Sequence, residues 1–359
     1  MKLYNRELEE IENLERYNRI KNIIEKQIEF LVQAYDIDEQ MLRDRAERLA
    51  IVERNPKEST YFTEENGIKK ENPNPRSVAA FVTIKRQEYD GEKWEFENGV
   101  YISDSNSEHK IIHELFHFLS QKQQMEFNSN GVGYAKSGIS ISGYDREDNL
   151  VDTSLKAKGL NEGITELLAT KVDSRRRPDA YSFQTYIADI LISNKHRSLL
   201  DAYFSDDEKV FRDFLDEFGE RQQIISSQEL IEMSTDGQVT VSSQLLRGCL
   251  EYALSFCKDI DELKAERIRL IPIFKNMLNN LDIEFETEDF DLKQFFNEIL
   301  LEKRREIEGL MHMESKDVLS SAIQTTEEVT KTSTINEQVK TIEELTKESV
   351  EKTEEMEKM

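Results

Sequence analysis

Residues 111–119 read IIHELFHFL, and this stretch decides the fold expected for the chain. His113 and His117 stand four residues apart with Glu114 between them, which is the H-E-x-x-H pattern. On a helix, residues four apart lie on one face, so both imidazoles can reach a single ion. The apolar residues that flank the histidines are typical of a helix that runs through a core. The stretch therefore predicts a buried helix carrying two metal ligands.

The segment upstream of this helix predicts a small sheet. Residues 77–85 read SVAAFVTIK, a run rich in β-branched and aromatic residues that favours a strand. Residues 94–96 and 100–102 predict a hairpin around Glu97-Asn98-Gly99. Ser105 with a glutamate three residues later has the capping-box pattern, which predicts the start of the helix.

A second helical motif follows further along the chain. Residues 159–169 read GLNEGITELLA, and on a helix Glu162 and Glu166 lie on one face. Together the two motifs resemble the gluzincins, the clan of thermolysin-like zinc peptidases, whose second helix carries N-E-x-x-x-[DE]. The resemblance implies that one Zn²⁺ is held by His113, His117 and Glu162. It also implies that Glu166 accepts a hydrogen bond from a zinc-binding histidine, which would fix the orientation of its ring.

The same resemblance implies a peptidase mechanism. Glu114 would act as the general base that takes a proton from a metal-activated water. Gluzincins also supply a tyrosine or histidine to the oxyanion of the transition state. Tyr181 and Tyr186, which follow the second motif, are the candidates for this catalytic role, and Tyr134 and Tyr144 are alternatives. For each tyrosine, packing in the core is the competing interpretation.

Two rival arrangements of ligands are considered. Metzincins continue the first motif with a glycine and a third histidine, but Ser120 and Gln123 occupy those positions here. His109 precedes His113 by four residues. It lies eight residues from His117, about 12 Å along a helix axis, so one ion cannot bind both. His109 is therefore expected on the helix surface or at the rim of a pocket.

The composition narrows the possible functions. The chain has 359 residues and a formal net charge of −25, which repels phosphate backbones and anionic headgroups, so we expect neither nucleic-acid nor membrane binding. No secretory signal or membrane span is recognised. Cys249 and Cys257 lie about 12 Å apart along a predicted helix, too far for a disulfide. Free thiols fit a reducing compartment, so the protein is expected to be cytoplasmic.

The chain is expected to have four segments. They are an N-terminal helical arm at 1–55, a zincin-like core at 56–180, a helical C-terminal lobe at 181–312 and an acidic low-complexity tail at 313–359 that is disordered or partly helical. The predicted fold class is α+β and mainly helical. A small, mostly antiparallel sheet is expected over the metal-binding helix, followed by the helical lobe.

Within the arm, helices are predicted near residues 8–31 and 39–53, and a loop follows at 55–76. These helices either cover the core or bind a protein partner, and the tail is a second candidate for partner binding. In the core, Val78 to Ile84 is a candidate edge strand for an extended peptide, with a plain core strand as the alternative.

Three functions remain open. The first is a zinc peptidase that acts on a peptide or protein substrate. The second is a catalytically inactive zincin-fold protein that serves as a protein-interaction module. The third is a metal-dependent hydrolase of another bond. Glu114 favours an enzyme, because a structural zinc site needs no base and is usually closed by four protein ligands.

Overall fold

The computed structural model describes residues 1–4, 10, 12–53, 62–65, 68–71, 80–89, 93–102, 107–122, 124–147, 149–174, 178, 180–193, 196–235, 239–280, 283–286 and 290–311. The chain divides into two compact units, Met1–Ile299 and Leu300–Met359. In the second unit, residues 300–311 are described and are helical. The predicted acidic tail lies outside the described residues, and the boundaries predicted after residues 55, 180 and 312 stay predictions.

Helices dominate the described part of the first unit. Most carry a buried apolar face, as their spacing at threes and fours predicts. They are α1 (Leu14–Tyr35), α2 (Glu39–Glu47), α3 (Glu108–Leu119), α4 (Lys158–Val172), α5 (Ser182–Leu191), α6 (Ser198–Phe204), α7 (Glu208–Arg221), α8 (Ser227–Ile231), α9 (Ser243–Leu254) and α10 (Ile260–Leu278). Residues 292–299 are also helical.

Short strands are interspersed among these helices. They are β1 (Lys2–Tyr4), β2 (Ala50–Glu53), β3 (Phe62–Glu65), β4 (Ile68–Glu71), β5 (Ala80–Tyr89), β6 (Lys93–Ile102), β7 (Gln124–Glu126), β8 (Gly133–Ser137), β9 (Ser140–Tyr144), β10 (Leu150–Asp152), β11 (Val239–Val241) and β12 (Ile283–Phe285). The predicted α+β, mainly helical fold class is confirmed.

The two larger sheets differ in strand direction. A five-stranded sheet has the order β1-β2-β6-β5, with β7 paired to the beginning of β6. It is mixed, because β2 is parallel to both β1 and β6. Helices α1 and α2 form the long crossover that the parallel pair β1–β2 requires. The other sheet, β8–β9–β10, is antiparallel throughout, so the expected antiparallel character holds for this smaller sheet.

Strand β6 corrects one prediction from the sequence. The sequence predicts a hairpin turn at Glu97-Asn98-Gly99, but β6 runs straight through these residues. Gly99 pairs with Ala50 on one side and with Val82 on the other. Hydrogen-bonded neighbours on both edges keep this segment extended, so the local turn signal is overridden.

Two further predictions near the arm are wrong. The second helix ends at Glu47 instead of near residue 53, because the apolar run that follows enters the large sheet as β2 between β1 and β6. The predicted loop at 55–76 contains β3 and β4, which pair with each other antiparallel. In both places, pairing with other strands decides the structure and leaves no local trace in the sequence.

Helix α3 is buried on most of its surface. It begins at Ser107, whose Oγ accepts a hydrogen bond from Lys110 N, so the cap lies two residues after the predicted Ser105. Leu115, Phe116 and Leu119 have no exposed surface. The helix also contacts β5 and β6 of the large sheet. A helix enclosed in this way holds its side chains in fixed directions.

The N-terminal helices cover α3, as one interpretation of the arm expects. Gln27 Nε2 on α1 donates to the Ile112 carbonyl at 2.9 Å. Arg45 on α2 donates to the Leu119 carbonyl at 2.7 Å and to the Phe204 carbonyl at 2.9 Å. Arg45 therefore ties the last turns of α3 and α6 together, where cations favourably meet helix dipoles.

Helices α4 and α5 approach each other at backbone distance. A Cβ atom added at Gly163 would lie 2.3 Å from the Gln184 carbonyl oxygen, so only glycine permits this contact. Tyr181 precedes α5 with φ of 50° and ψ of 40°. The close crossing fixes where α5 begins, and with it the position of Tyr181.

Cys249 and Cys257 are both buried and free, which confirms that they form no disulfide. Among the described residues, no helix is long and apolar enough to cross a membrane.

Candidate metal centre

Helices α3 and α4 bring three potential metal ligands to one point. His113 Nε2 and His117 Nε2 each lie 3.2 Å from Glu162 Oε2. One ligand atom from each of these residues lies within 4.8 Å of the other two. The two histidines come from successive turns of α3, and Glu162 comes from the first half of α4. This group could hold a metal ion.

The donors fit a divalent ion in both type and spacing. Two imidazole nitrogens and one carboxylate oxygen are a ligand set of catalytic zinc sites, which leaves a fourth position open. Ligands about 2.0–2.1 Å from a tetrahedral ion lie about 3.3 Å from each other. The observed separation of 3.2 Å matches this value. The Glu162 side chain is 24% exposed, so the centre is open to solvent on one side.

Glu166 orients His113. A metal on Nε2 requires the ring proton on Nδ1. His113 Nδ1 lies 2.9 Å from Glu166 Oε2 and donates to it. The Glu166 side chain is only 2% exposed, and its Oε1 accepts from the Ala180 backbone N–H at 3.4 Å. Such a bond fixes the tautomer and the plane of a ligating histidine.

A different group of residues surrounds His117. Its Nδ1 lies 3.4 Å from Thr165 Oγ1, and Thr165 Oγ1 lies 2.7 Å from the buried hydroxyl of Tyr203. Asn161 Nδ2 lies 3.5 Å from the same Nδ1, while Asn161 Oδ1 accepts from Ile139 N at 2.9 Å. The turn between β8 and β9 thereby holds Asn161 in place.

The electrostatics of the centre favour a cation. Burial acts to lower the pKa of His113, but hydrogen bonds with Glu162 and Glu166 outweigh it and raise this pKa to about 10. Burial acts to raise the pKa of Glu166, but hydrogen bonds with His109 and His113 lower it to about 2. The pKa of Glu162 is also lowered, because the charges and hydrogen bonds of His117 and His113 outweigh burial. An incoming metal ion would displace the proton that these carboxylates favour.

Glu114 lies beside the centre and keeps contact with solvent. It is half-buried, whereas the other residues from 111 to 120 are buried. Its negative charge contributes to the raised pKa values of His113 and Tyr203. The carboxylate is therefore within electrostatic reach of both groups, on the accessible side of α3.

The two candidate tyrosines lie in different surroundings. The Tyr181 ring stacks on the His113 ring, with centroids 6.0 Å apart and an interplanar angle of 26°. Tyr186 packs in the core with its ring 4% exposed, and its hydroxyl accepts from Asn280 Nδ2 at 3.5 Å. Of the alternatives, Tyr134 donates from its hydroxyl to Asp152 at 3.3 Å. Tyr144 is half-buried on β9. Tyr181 is thus the candidate with a ring contact to the metal-binding group.

His109 corrects another prediction. It was expected on the helix surface or at a pocket rim, but it is only 1% exposed. Its Nε2 lies 2.9 Å from Glu166 Oε1, and its Nδ1 lies 3.2 Å from Asp173 Oδ2. The prediction failed because α4 covers the face of α3 on which His109 lies. His109 is not a member of the metal-binding group, as its distance from His117 along the helix predicts.

Several residues of the centre escaped the sequence analysis. Thr165 follows Glu162 by three residues on the same helix, so the spacing could have suggested it. His109 stands four residues before His113 and could have been assigned to the same face. Tyr203 carries no such signal, because it reaches the centre from α6, far along the chain.

Comparisons of the chain with protein-family models, with curated proteins and with solved structures found no match.

Proposed function

We propose that this protein is a zinc-dependent peptidase. The observation that carries the proposal is the convergence of His113, His117 and Glu162 on one point, with the carboxylate of Glu114 beside it. Three protein donors with an open fourth position are typical of catalytic zinc. The adjacent base is what a hydrolytic site needs in addition.

Zinc would be held by the Nε2 atoms of His113 and His117 and by the carboxylate of Glu162. When bound, zinc supplies a Lewis acid that makes a water molecule more acidic and polarises a carbonyl group. Glu166 and Thr165 would keep the two imidazoles in the orientation that binding requires.

The remaining steps belong to the protein's own side chains. Glu114 would take a proton from a water molecule on the exposed side of α3 and return it to the nitrogen of the leaving amine. The hydroxyl of Tyr181, next to His113, is the candidate donor to the oxyanion that forms on the carbonyl oxygen. Proton uptake and delivery by one carboxylate balance over the cycle.

An extended peptide fits the edge of the larger sheet. In the described residues, β5 stands last in the strand order β1-β2-β6-β5, and it contacts α3. It includes Ala80 to Ile84 of the predicted edge strand, while Val78 and Ala79 lie outside the described residues. Pairing of substrate backbone with an edge strand gives affinity without demanding one sequence.

The experiment is cleavage of a mixed peptide library by the full chain loaded with zinc, read by mass spectrometry. The wild type should cleave, a chelator should abolish cleavage, and added zinc should restore it. Glu114→Gln should lower kcat by about 10²–10⁴-fold, the usual contribution of a general base, while zinc content is unchanged. Glu108→Gln is the matched control, since Glu108 is an exposed acid on the same helix and should be dispensable.

Cleavage by Glu114→Gln at the wild-type rate would contradict the assigned base. Failure of the zinc-loaded wild type to cleave any peptide would contradict the peptidase. In that case, a zincin-fold interaction module that keeps its metal becomes the better account.

A further inference from the structure

A buried row of acidic and basic side chains leads away from the candidate metal centre. Asp173 Oδ2 lies 3.2 Å from His109 Nδ1, His109 Nε2 lies 2.9 Å from Glu166 Oε1, and Glu166 Oε2 lies 2.9 Å from His113 Nδ1. His109 and Glu166 are almost fully buried, whereas the Asp173 side chain is 27% exposed. The row thus runs from the metal ligand His113 to the surface at the end of α4.

The two oxygens of Glu166 have different donors. Oε2 serves His113, while Oε1 receives His109 at 2.9 Å and the Ala180 N–H at the longer distance of 3.4 Å. A carboxylate held at one oxygen only can rotate about its last torsion, which is broad for glutamate. His109 supplies the short contact that opposes this rotation. The direction of the lone pair offered to His113 Nδ1 therefore depends on His109.

We propose that His109 is a positioning residue of the metal centre, which acts through Glu166 to set the ring plane of His113. This inference rests on the metal site of the proposed function. His109 takes no part in the chemistry, because it is enclosed between α3 and α4 and is 1% exposed. Its helix position also excludes it as a ligand of the same ion as His117, about 12 Å further along the axis.

His109→Leu, His109→Gln and His196→Leu form the test set. Leucine fills the space but donates nothing. Glutamine places an amide N–H where His109 Nε2 stands. His196 is the matched control: it is also buried, its Nδ1 lies 2.9 Å from the Leu191 carbonyl, and its Nε2 lies 3.7 Å from Glu266.

The first readout is the zinc affinity of the folded full chain, measured by competition with a chromophoric chelator. His109→Leu should bind zinc about 10–100-fold more weakly, the usual cost of losing a partner behind a ligating histidine. His109→Gln should recover most of that loss, and His196→Leu should bind as the wild type does. With Co²⁺ in place of zinc, the visible absorption should change in His109→Leu alone, because the band reports ligand geometry.

A double-mutant cycle with Glu166→Gln shows whether His109 acts through Glu166. The loss in zinc affinity for the double variant His109→Leu/Glu166→Gln should be close to that for Glu166→Gln alone, because coupled residues are not additive. Additive losses would overturn the proposed route.

The outcomes separate this inference from the proposed function. If the wild type binds zinc and His109→Leu binds equally well, the inference is overturned and the metal site stands. If the wild type binds zinc but cleaves nothing, the peptidase falls and the inference stands. If the folded wild type binds no zinc, both fall.

Should His109→Leu fail to fold, His109→Asn and His109→Gln decide the matter. The asparagine amide stops short of Glu166, so asparagine should weaken zinc binding and glutamine should not. Equal affinities of these two variants would overturn the inference.

Discussion

At the scale of single residues, Tyr181 and His113 are the pair with the clearest consequence for the chemistry. Their rings stack at 6.0 Å, and a left-handed backbone at Tyr181 (φ of 50°) holds the tyrosine in front of α5. A non-glycine residue in this conformation costs about 1–2 kcal/mol, which the surrounding packing must offset. A strained residue beside a metal-binding group suggests a function for its side chain.

Tyr181→Phe is expected to lower kcat by about 10²–10³-fold, the usual cost of losing one donor to an oxyanion. KM and zinc content should change little, because the donor acts mainly in the transition state. Steady-state kinetics on a peptide taken from the library experiment measure the effect. Tyr186→Phe is the control and should keep its kcat. The reverse result, with Tyr186 essential and Tyr181 dispensable, would reassign the donor.

Lys136 gives a second residue-scale prediction, on stability. Its amino group is buried and lies 3.3 Å from the Tyr203 carbonyl, and burial together with the charge of Arg45 lowers its pKa to about 7 from 10.5. Between pH 7 and pH 10.5 the unfolded chain binds more protons at this position than the folded chain does. The free energy of unfolding should therefore rise with pH in this window, by at most about 1.4 kcal/mol per pH unit from this group.

Lys136→Met should remove this contribution to the slope. Urea unfolding of both chains between pH 7 and pH 10 measures it, and all other titrating groups cancel in the comparison. Relative to the variant, the wild type should gain stability as the pH rises. Parallel pH profiles would show that Lys136 stays protonated in the folded chain.

At the scale of elements, the turn between β8 and β9 supports the metal centre. Gly138 has φ of +59°, and a Cβ there would lie 2.0 Å from Asn161 Oδ1 and 2.6 Å from the Tyr203 ring. Both neighbours stand behind His117, through its Nδ1 and through Thr165. The hairpin is therefore packed directly against the residues that orient a metal ligand.

Gly138→Ala should consequently lower both stability and zinc affinity. We expect a loss of about 3 kcal/mol or more in the free energy of unfolding, because overpacking adds to backbone strain. Gly131→Ala is the matched control. Its φ is +73° with no atom within 4 Å, so only the strain of about 1–2 kcal/mol applies. Equal losses in urea unfolding, with zinc affinity unchanged in both variants, would contradict the packing argument.

The elements also show what the sequence could predict and what it could not. The ligands His113, His117 and Glu162 and the acid Glu166 were readable because their spacing lies within single helices, where geometry is local. The path of β6 was not readable, since partner strands on both sides overrode a turn signal. Likewise, Tyr203 and the burial of His109 depend on packing between helices, and no local pattern encodes that.

At the scale of the whole molecule, residues from distant parts of the chain meet around α3. Gln27 and Arg45 bind its carbonyls from the N-terminal helices, and Glu162 and Glu166 meet its histidines from α4. A metal ion joining α3 to α4 would add to this organisation. Because such a site forms only in the folded chain, metal binding would stabilise the fold.

The central claim is that His113, His117 and Glu162 hold one metal ion, and the most direct test is metal content per chain. Native mass spectrometry should be run on the wild type, on Glu162→Ala and on the control Glu251→Ala. Glu251 has a similar exposure of 27% and pairs with Arg247, away from the metal-binding group. We predict about one zinc in the wild type and in Glu251→Ala, and much less in Glu162→Ala. A well-folded wild type that takes up no zinc, even when zinc is supplied in excess, would contradict the account.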